Sequence, residues 1–179
     1  MNKNRPDKIL QAALIRDDPS AVYLMWERYA NDLLTFLQGV LCSRHDAEDV
    51  LQTIFVKIVR KRQRLAKVRC LDAYIFRIAR NEAYSFISKR KKDKKIQGTT
   101  ESWLTAVENN QKSCELAEQL QATLAQLTQS QREVIVMKIY RQKTFLEISR
   151  LLGLSRNTVA SRYRYGLEKL RNLLGNLEL

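Results

Sequence analysis

Thr144-Phe-Leu-Glu-Ile-Ser-Arg-Leu-Leu-Gly-Leu-Ser-Arg-Asn-Thr-Val-Ala-Ser-Arg-Tyr-Arg-Tyr-Gly-Leu-Glu-Lys-Leu-Arg171 is the stretch whose reading decides the fold. It reads as two helices around a tight turn. Ile148, Leu151 and Leu152 fall three and four apart and share one apolar face. Gly153 ends that helix, because glycine enters the left-handed conformation of a helix terminus without steric penalty. Ser155 caps the next helix, its hydroxyl accepting from an otherwise orphaned backbone amide. Val159, Tyr163, Leu167, Leu170 and Leu174 then make a core-facing stripe at helical spacing. At about 100° per residue, Asn157, Ser161, Arg164, Tyr165 and Glu168 lie on the opposite side. A short helix, a glycine turn and a longer helix with a polar, basic outer face form a helix-turn-helix pattern. A plain helical hairpin with a solvated face would read the same, so the rest of the chain has to decide.

The 179 residues fit one or two small domains, and a hydrophobic fraction of 45% is ample for packed cores. Five glycines, two prolines and no sustained strand-like alternation predict an almost wholly helical protein. The net charge of +13 is concentrated: Lys57 to Lys95 holds 15 lysines and arginines against 3 acidic residues. Such a block suits a polyanion, with nucleic acid the first candidate and anionic lipid the second. The longest aliphatic runs, such as Val134 to Met137, are far too short to span a bilayer, so no membrane insertion is expected. The start of the chain is polar and lacks the apolar core of a signal peptide. Three widely spaced cysteines and a single histidine argue against a zinc site and a disulfide framework, and reduced cytoplasmic thiols are the simplest expectation.

Taken in order, Ile9, Leu10, Ala13 and Leu14 predict a short helix over Lys8 to Arg16, broken at Asp17 to Ser20. The next helix carries Val22, Trp26, Tyr29, Leu33, Phe36 and Leu37 on one face, a core stripe. Ser43 caps a third helix with acids in its first turn. Ala47, Val50, Leu51, Ile54, Phe55 and Ile58 point inward, leaving Asp46, Asp49, Gln52 and Thr53 outside. That acidic-polar patch is either a solvated face or a dock for a basic partner. Lys61 to Arg69 has too little periodicity for a helix and reads as a basic connector. A strong helix spans Leu71 to about Ser88, with Leu71, Ile75, Ile78, Ala79 and Phe86 inward. Its other side presents Tyr74, Arg77, Asn81, Tyr84, Ser85 and Ser88, with Arg80 at the edge. Rings interleaved with cations and amides suit single-stranded nucleic acid, since rings stack on bases and cations hold phosphates. Lys89 to Lys95 breaks the packing pattern, and the polar run 96–102 marks a domain boundary. Trp103, Leu104 and Val107 suggest that the linker is not uniformly loose. Leu116, Leu120, Leu124 and Leu127 predict another helix, and Ser130 to Glu133 reads as a capping box opening a helix over Arg132 to Tyr140.

No glycine-rich phosphate loop, histidine-dependent triad or acidic two-metal cluster is present in the sequence, so nothing asks for an enzyme or a cofactor.

Two stretches carry a family likeness. Asp46-Ala-Glu-Asp-Val-Leu-Gln-Thr-Ile-Phe55, with Tyr74-Ile-Phe-Arg-Ile-Ala-Arg-Asn81, resembles region two of a bacterial RNA polymerase sigma factor. Leu127 to Val136, Phe145 to Gly153 and Ser155 to Arg171 resemble region four. Two such regions on a short linker are similar to the extracytoplasmic-function (ECF) group of the sigma-70 family, over most of residues 20–175. The resemblance implies an all-α protein of two small helical domains: 1–95 as region 2, 96–112 as linker and 113–179 as region 4. It implies partners as well: core RNA polymerase through its clamp and flap, duplex promoter DNA, and the melted non-template strand. An anti-sigma factor or a DNA-targeting recruiter is a further possible partner. By position, Asp46, Asp49, Gln52 and Thr53 would face the polymerase clamp. Arg64, Lys67, Arg69, Tyr74, Arg77, Arg80, Asn81, Tyr84 and Ser85 would capture the minus-ten strand. Arg156, Asn157, Ser161, Arg162, Arg164 and Tyr165 would enter the major groove at the minus-thirty-five element. Thr53 stands where the family commonly has Glu, Tyr74 where it has Trp, and Ala160 where it is often basic. The implied location is the bacterial cytoplasm, on the nucleoid, and the catalytic magnesium would be the polymerase's. Two other classes compete with this reading. A stand-alone helix-turn-helix regulator would bind duplex DNA without polymerase, and a nucleic-acid-processing enzyme would need a catalytic set.

Overall fold

A computed structural model describes residues 5–68, 70–97 and 113–175. Within them the chain forms helices and no strand: α1 (Arg5–Ile15), α2 (Ser20–Leu41), α3 (Arg44–Arg60), α4 (Arg62–Leu65), α5 (Leu71–Gln97), α6 (Ser113–Ala125), α7 (Gln129–Ile139), α8 (Phe145–Leu152) and α9 (Arg156–Gly175). Trp103, Leu104 and Val107, expected to stiffen the linker, and Arg69, expected on the minus-ten surface, lie outside the described residues.

The starts and stops of the helices follow local chemistry. Ser43 sits in an extended conformation and its side chain accepts from the Asp46 amide, opening α3. All six residues of the α3 inward stripe are buried. Thr144 and Glu147 close a capping box at the start of α8, and Gly153 ends it at φ 67°. Ser155 Oγ accepts from the Thr158 amide at 3.0 Å and opens α9. The turn between α8 and α9 is therefore specified at both ends by its own residues.

α2 is the centre of the first half. Its Phe36 ring meets Phe76 of α5 edge-on at 5.7 Å. Tyr29 donates to Asp72 Oδ1 at 2.6 Å, and Lys57 of α3 holds Glu82 of α5 at 2.6 Å, so α5 is tied to both neighbours. The second half does not form a separate core. Val134, Val136 and Met137 of α7, Ile148 and Leu152 of α8, and Val159 of α9 belong to the same buried cluster as Leu33, Phe36, Ile54 and Ile75. A smaller cluster of Leu124, Leu127, Ile135 and Leu170 lies under α9.

Several expectations are corrected. The buried face of α2 runs through Ala21, Met25, Tyr29, Leu33 and Leu37, so Trp26 stays 46% exposed and leans on Phe55 at 4.6 Å. Ile9 is 62% exposed because α1 buries only Leu10, Ala13 and Leu14. The connector contains the one-turn helix α4, anchored by the fully buried Leu65. α5 continues through the basic cluster to Gln97; lysine and arginine are good helix formers, and Arg90 pairs with Asp46 of α3. Leu174 is 48% exposed, Leu170 being the last of its stripe to enter the core. The capping box of α7 is Thr128 with Gln131, two residues earlier than expected. Glu133, the residue assigned to that box, is fully buried elsewhere.

Candidate nucleic-acid interface

Three polar helix faces carry the expected functional residues, and the structure treats them differently. On α3, Asp49, Gln52 and Thr53 are exposed, with Val56 one turn further along the same face. Thr53 Oγ1 donates to the Asp49 carbonyl, and Asp49 Oδ2 lies 3.7 Å from His45 Nε2. Asp46 does not join this face. Its carboxylate is gripped by Arg90, leaving the side chain 15% exposed. In the connector, Arg64 and Lys67 are exposed.

The outer face of α5 is divided. Arg77, Asn81 and Ser85 are exposed, and the Arg77 guanidinium lies over the half-buried Tyr74 ring at 5.8 Å. Arg80 and Tyr84 turn toward α7 instead. Arg80 Nε is 2.7 Å from Glu133 Oε1, and the Tyr84 hydroxyl donates to Glu133 Oε2 at 2.9 Å. Arg80 also lies over the Tyr84 ring at 4.7 Å. Burial, then the Glu133 charge, pushes the Tyr84 hydroxyl up to about 12. Burial likewise raises the Glu133 carboxyl, against the opposing pull of Arg80, Tyr84 and Arg162.

On α9, Arg156, Asn157, Arg164 and Tyr165 are exposed, and Arg164 stacks on Tyr165 at 4.9 Å while donating to its hydroxyl at 3.2 Å. Ser161 is half-buried and donates to the Thr158 carbonyl. Arg162 is not splayed outward: it is half-buried, its Nη1 is closed off from solvent, and its charge acts on Glu133. Next to this group, Arg132 is 8% exposed and reaches three carbonyls, Val40 of α2 at 2.6 Å, Ala125 at the end of α6 at 3.0 Å and Leu127 just after it at 3.1 Å. Arg141 pairs with Asp32 of α2 and lies over the Phe76 ring at 5.2 Å.

Comparison with known proteins sets these faces in a family. Residues 25–93 match the family model for sigma-70 region 2, and residues 123–172 match that for sigma-70, region 4. The chain belongs to the sigma-70 family. Within it the chain is an ECF sigma factor. It is similar to the RNA polymerase sigma factor SigZ of Bacillus subtilis, 25% identical over 84% of this chain and 85% of that protein. It is also similar to CarQ of Myxococcus xanthus, 29% identical over 87% and 90% of the two chains. The ECF sigma factor SigW of Bacillus subtilis is 27% identical over 83% and 86%. The fold is that of CnrH, solved in complex with the cytosolic domain of CnrY, with a TM-score of 0.72 at 23% identity over 96% and 98% of the two chains. It is also that of the sigma factor RpoE of Bartonella quintana, solved with the anti-sigma factor NepR, with a TM-score of 0.67 at 24% identity over 81% and 91%.

This sigma factor is a transcription initiation factor: it binds core RNA polymerase and directs it to promoters. Its region 2 carries the α3 and α5 faces, and its region 4 carries α9. No helix of the described residues is long and apolar enough to cross a membrane. The structure brings together three residues that the sequence sets far apart, Arg80 and Tyr84 of region 2 with Glu133 of region 4. Glu133 was missed as part of any site. One signal could have found it: Thr128-Gln-Ser-Gln131 offers a complete capping box two residues upstream, which frees Glu133 for another task.

Proposed function

We propose that the three faces divide the work of initiation. Asp49, Gln52 and Thr53 dock the basic clamp of core polymerase, and Asp46 supports that face through Arg90 without joining it. Arg64, Lys67, Tyr74, Arg77, Asn81 and Ser85 hold the melted minus-ten strand, with Arg80 and Tyr84 completing that surface when region 4 is elsewhere. Arg69 is assigned to the same surface by position in the sequence alone. Arg156, Asn157, Arg164 and Tyr165 read the minus-thirty-five element, with Ser161 and Arg162 at the margin. Residues 1–95 act as region 2, 96–112 as the tether and 113–179 as region 4. Capture of unstacked bases on Tyr74 or Tyr84 offsets the few kcal/mol of opening each step, since one base on one ring is worth about 1–3 kcal/mol. Catalysis and its metal belong to the polymerase, so the chain itself is not an enzyme. It works in the cytoplasm, on the nucleoid, and an anti-sigma factor would act by covering these faces.

The observation that supports this reading is the segregation of charge. Acidic and polar residues stand on α3, while cations and rings stand on α5 and α9. Run-off transcription with purified core polymerase tests it. Transcripts are expected only when the protein is added, and promoters selected from a randomised upstream library are expected to change with Arg164→Ala. A bidentate arginine discriminates by about 1–3 kcal/mol, so preference at one or two base pairs should relax about tenfold or more. An unchanged selected motif would remove α9 from base reading and favour delivery by another DNA-targeting protein.

A further inference from the structure

The buried carboxylate of Glu133 meets one cation and one ring hydroxyl of α5, and feels the charge of one cation of α9. Arg80 is 2.7 Å away, Tyr84 donates at 2.9 Å, and Arg162 adds its charge from α9. A carboxylate held by a guanidinium and a ring hydroxyl offers them the charge and the acceptor oxygens that a DNA phosphate would offer. We propose that Glu133 is an internal latch, standing in for DNA phosphate and holding the free sigma factor closed, with part of its minus-ten surface occupied by region 4. This rests on the assignment of α5 and α9 to DNA given above.

Geometry requires such a state to open. The two promoter elements are named for positions about 25 base pairs apart, and at about 3.4 Å per step that is about 85 Å of duplex. In the closed molecule α5 reaches Glu133 of α7, and Val159 of α9 lies in the same core as Ile75 of α5. One closed molecule therefore cannot engage both elements. The 15 residues 98–112 can extend at most about 50 Å, which together with the width of the two regions permits the open span. Around the latch the seam is closed by Arg132 on the Val40 carbonyl, Arg141 on Asp32, and Gly39 against Val136. A buried ion pair broken on one side leaves uncompensated charge, so neutralising Glu133 strands Arg80 and favours opening.

Two experiments on the full-length chain test the latch. In the first, Gly39→Cys and Val136→Cys are combined with serine at Cys42, Cys70 and Cys114. The new β-carbons would lie 3.2 Å apart, a few tenths of an ångström inside the usual disulfide span of about 3.5–4.5 Å. Oxidation is expected to lock the seam and lower run-off transcription at least about tenfold, as expected when the competent fraction falls to one part in ten, with dithiothreitol restoring it. Failure of the bond to form, or full transcription by the bonded protein, overturns the proposal. In the second, Glu133→Gln is compared with the parent by spin-label distances between exposed Glu27 and Lys169, and by binding of a fluorescent mixed-sequence single strand. A longer distance and about tenfold tighter binding are expected, the gain when the open fraction rises from about one in a hundred to one in ten. An unchanged distance overturns the latch whatever the DNA does. Arg77→Ala, which does not touch Glu133, reads the DNA assignment alone. If it leaves strand binding of the Glu133→Gln protein intact, that assignment fails while the distance measurement still judges the latch.

Discussion

α3 and α5 look alike as sequence, each an amphipathic helix of region 2 with one apolar stripe and one polar face. In the folded chain they differ. The polar face of α3 stands in solvent at Asp49, Gln52 and Thr53, whereas that of α5 is half covered, Arg80 and Tyr84 being spent on Glu133 of region 4. Periodicity says which side of a helix avoids the core of its own domain. It does not say whether the other side meets water or a polar neighbour. Binding an outside partner to the α3 face requires no rearrangement, while binding one across all of the α5 face requires the regions to part.

The largest expected effect breaks the comparison from the closed side. Arg132→Ala removes the charged donor from the carbonyls of Val40, Ala125 and Leu127. With charged hydrogen bonds worth about 1.5–3 kcal/mol each, urea denaturation should show a loss of about 3 kcal/mol or more. Arg132→Lys should restore little of it, because a lysine lacks the fork that reaches three acceptors. A loss below 1 kcal/mol would mean that the seam does not depend on this residue.

Gly39→Val comes next. A β-carbon at that position collides with Val136 across the seam. Overpacking of this kind costs about 1–3 kcal/mol, and here part of it can be relieved by separation of the regions. Increased protease sensitivity of the 98–112 segment at unchanged helix content would mark that relief, and a lower melting point without it would locate the strain inside region 2.

The open side is probed by Asp49→Ala with Gln52→Ala. Exposed substitutions of this kind leave folding within about 0.5 kcal/mol, so helix content and melting should not move while affinity for core polymerase falls. Titration of labelled core separates the two readouts, and unchanged affinity would make α3 a merely solvated face. The smallest effect sharpens the contrast. Thr53→Glu adds one exposed charge opposite a basic partner, and an exposed pair is worth about 0.2–1 kcal/mol, so core binding should tighten by no more than about fivefold and weaken again with salt.

The parts of this molecule that were legible in its sequence are those fixed by near neighbours in the chain. Gly153 and Ser155 mark the turn of the helix-turn-helix with their own backbone preferences, and both do in the structure what they do in any helix end. The inward stripe of α3 is complete because one side of a helix buried in one core has a single period. What escaped reading was set by long-range choices. Thr128 and Ser130 each head a plausible capping box, and the selection between them is made by α5, which takes Glu133 out of competition. Trp26 shares its apolar character with Met25, and Met25 goes inward because the buried stripe of α2 runs through Ala21, Met25, Tyr29 and Leu33, one position away from Trp26. The length of α5 was hidden by charge: its basic tail has no apolar stripe to count, and its anchor is Asp46, 44 residues earlier. The grouping of Arg80 and Tyr84 on Glu133 needed the same information, since nothing local to either of them points to it.

The two glycine notches on either side of α7 bear on how freely the halves of this protein could be exchanged. Ile135 fills the space left by Gly166 within region 4, and its neighbour Val136 fills the space left by Gly39 in region 2. The first notch travels with any transplanted region 4; the second does not. A chimera that joins this region 4 to a region 2 with a larger residue at the Gly39 position would inherit its promoter-reading helix intact but lose the resting fit between the halves. Swapping the promoter reader would therefore also reset how readily the hybrid opens, and screens of such hybrids would score the two changes as one.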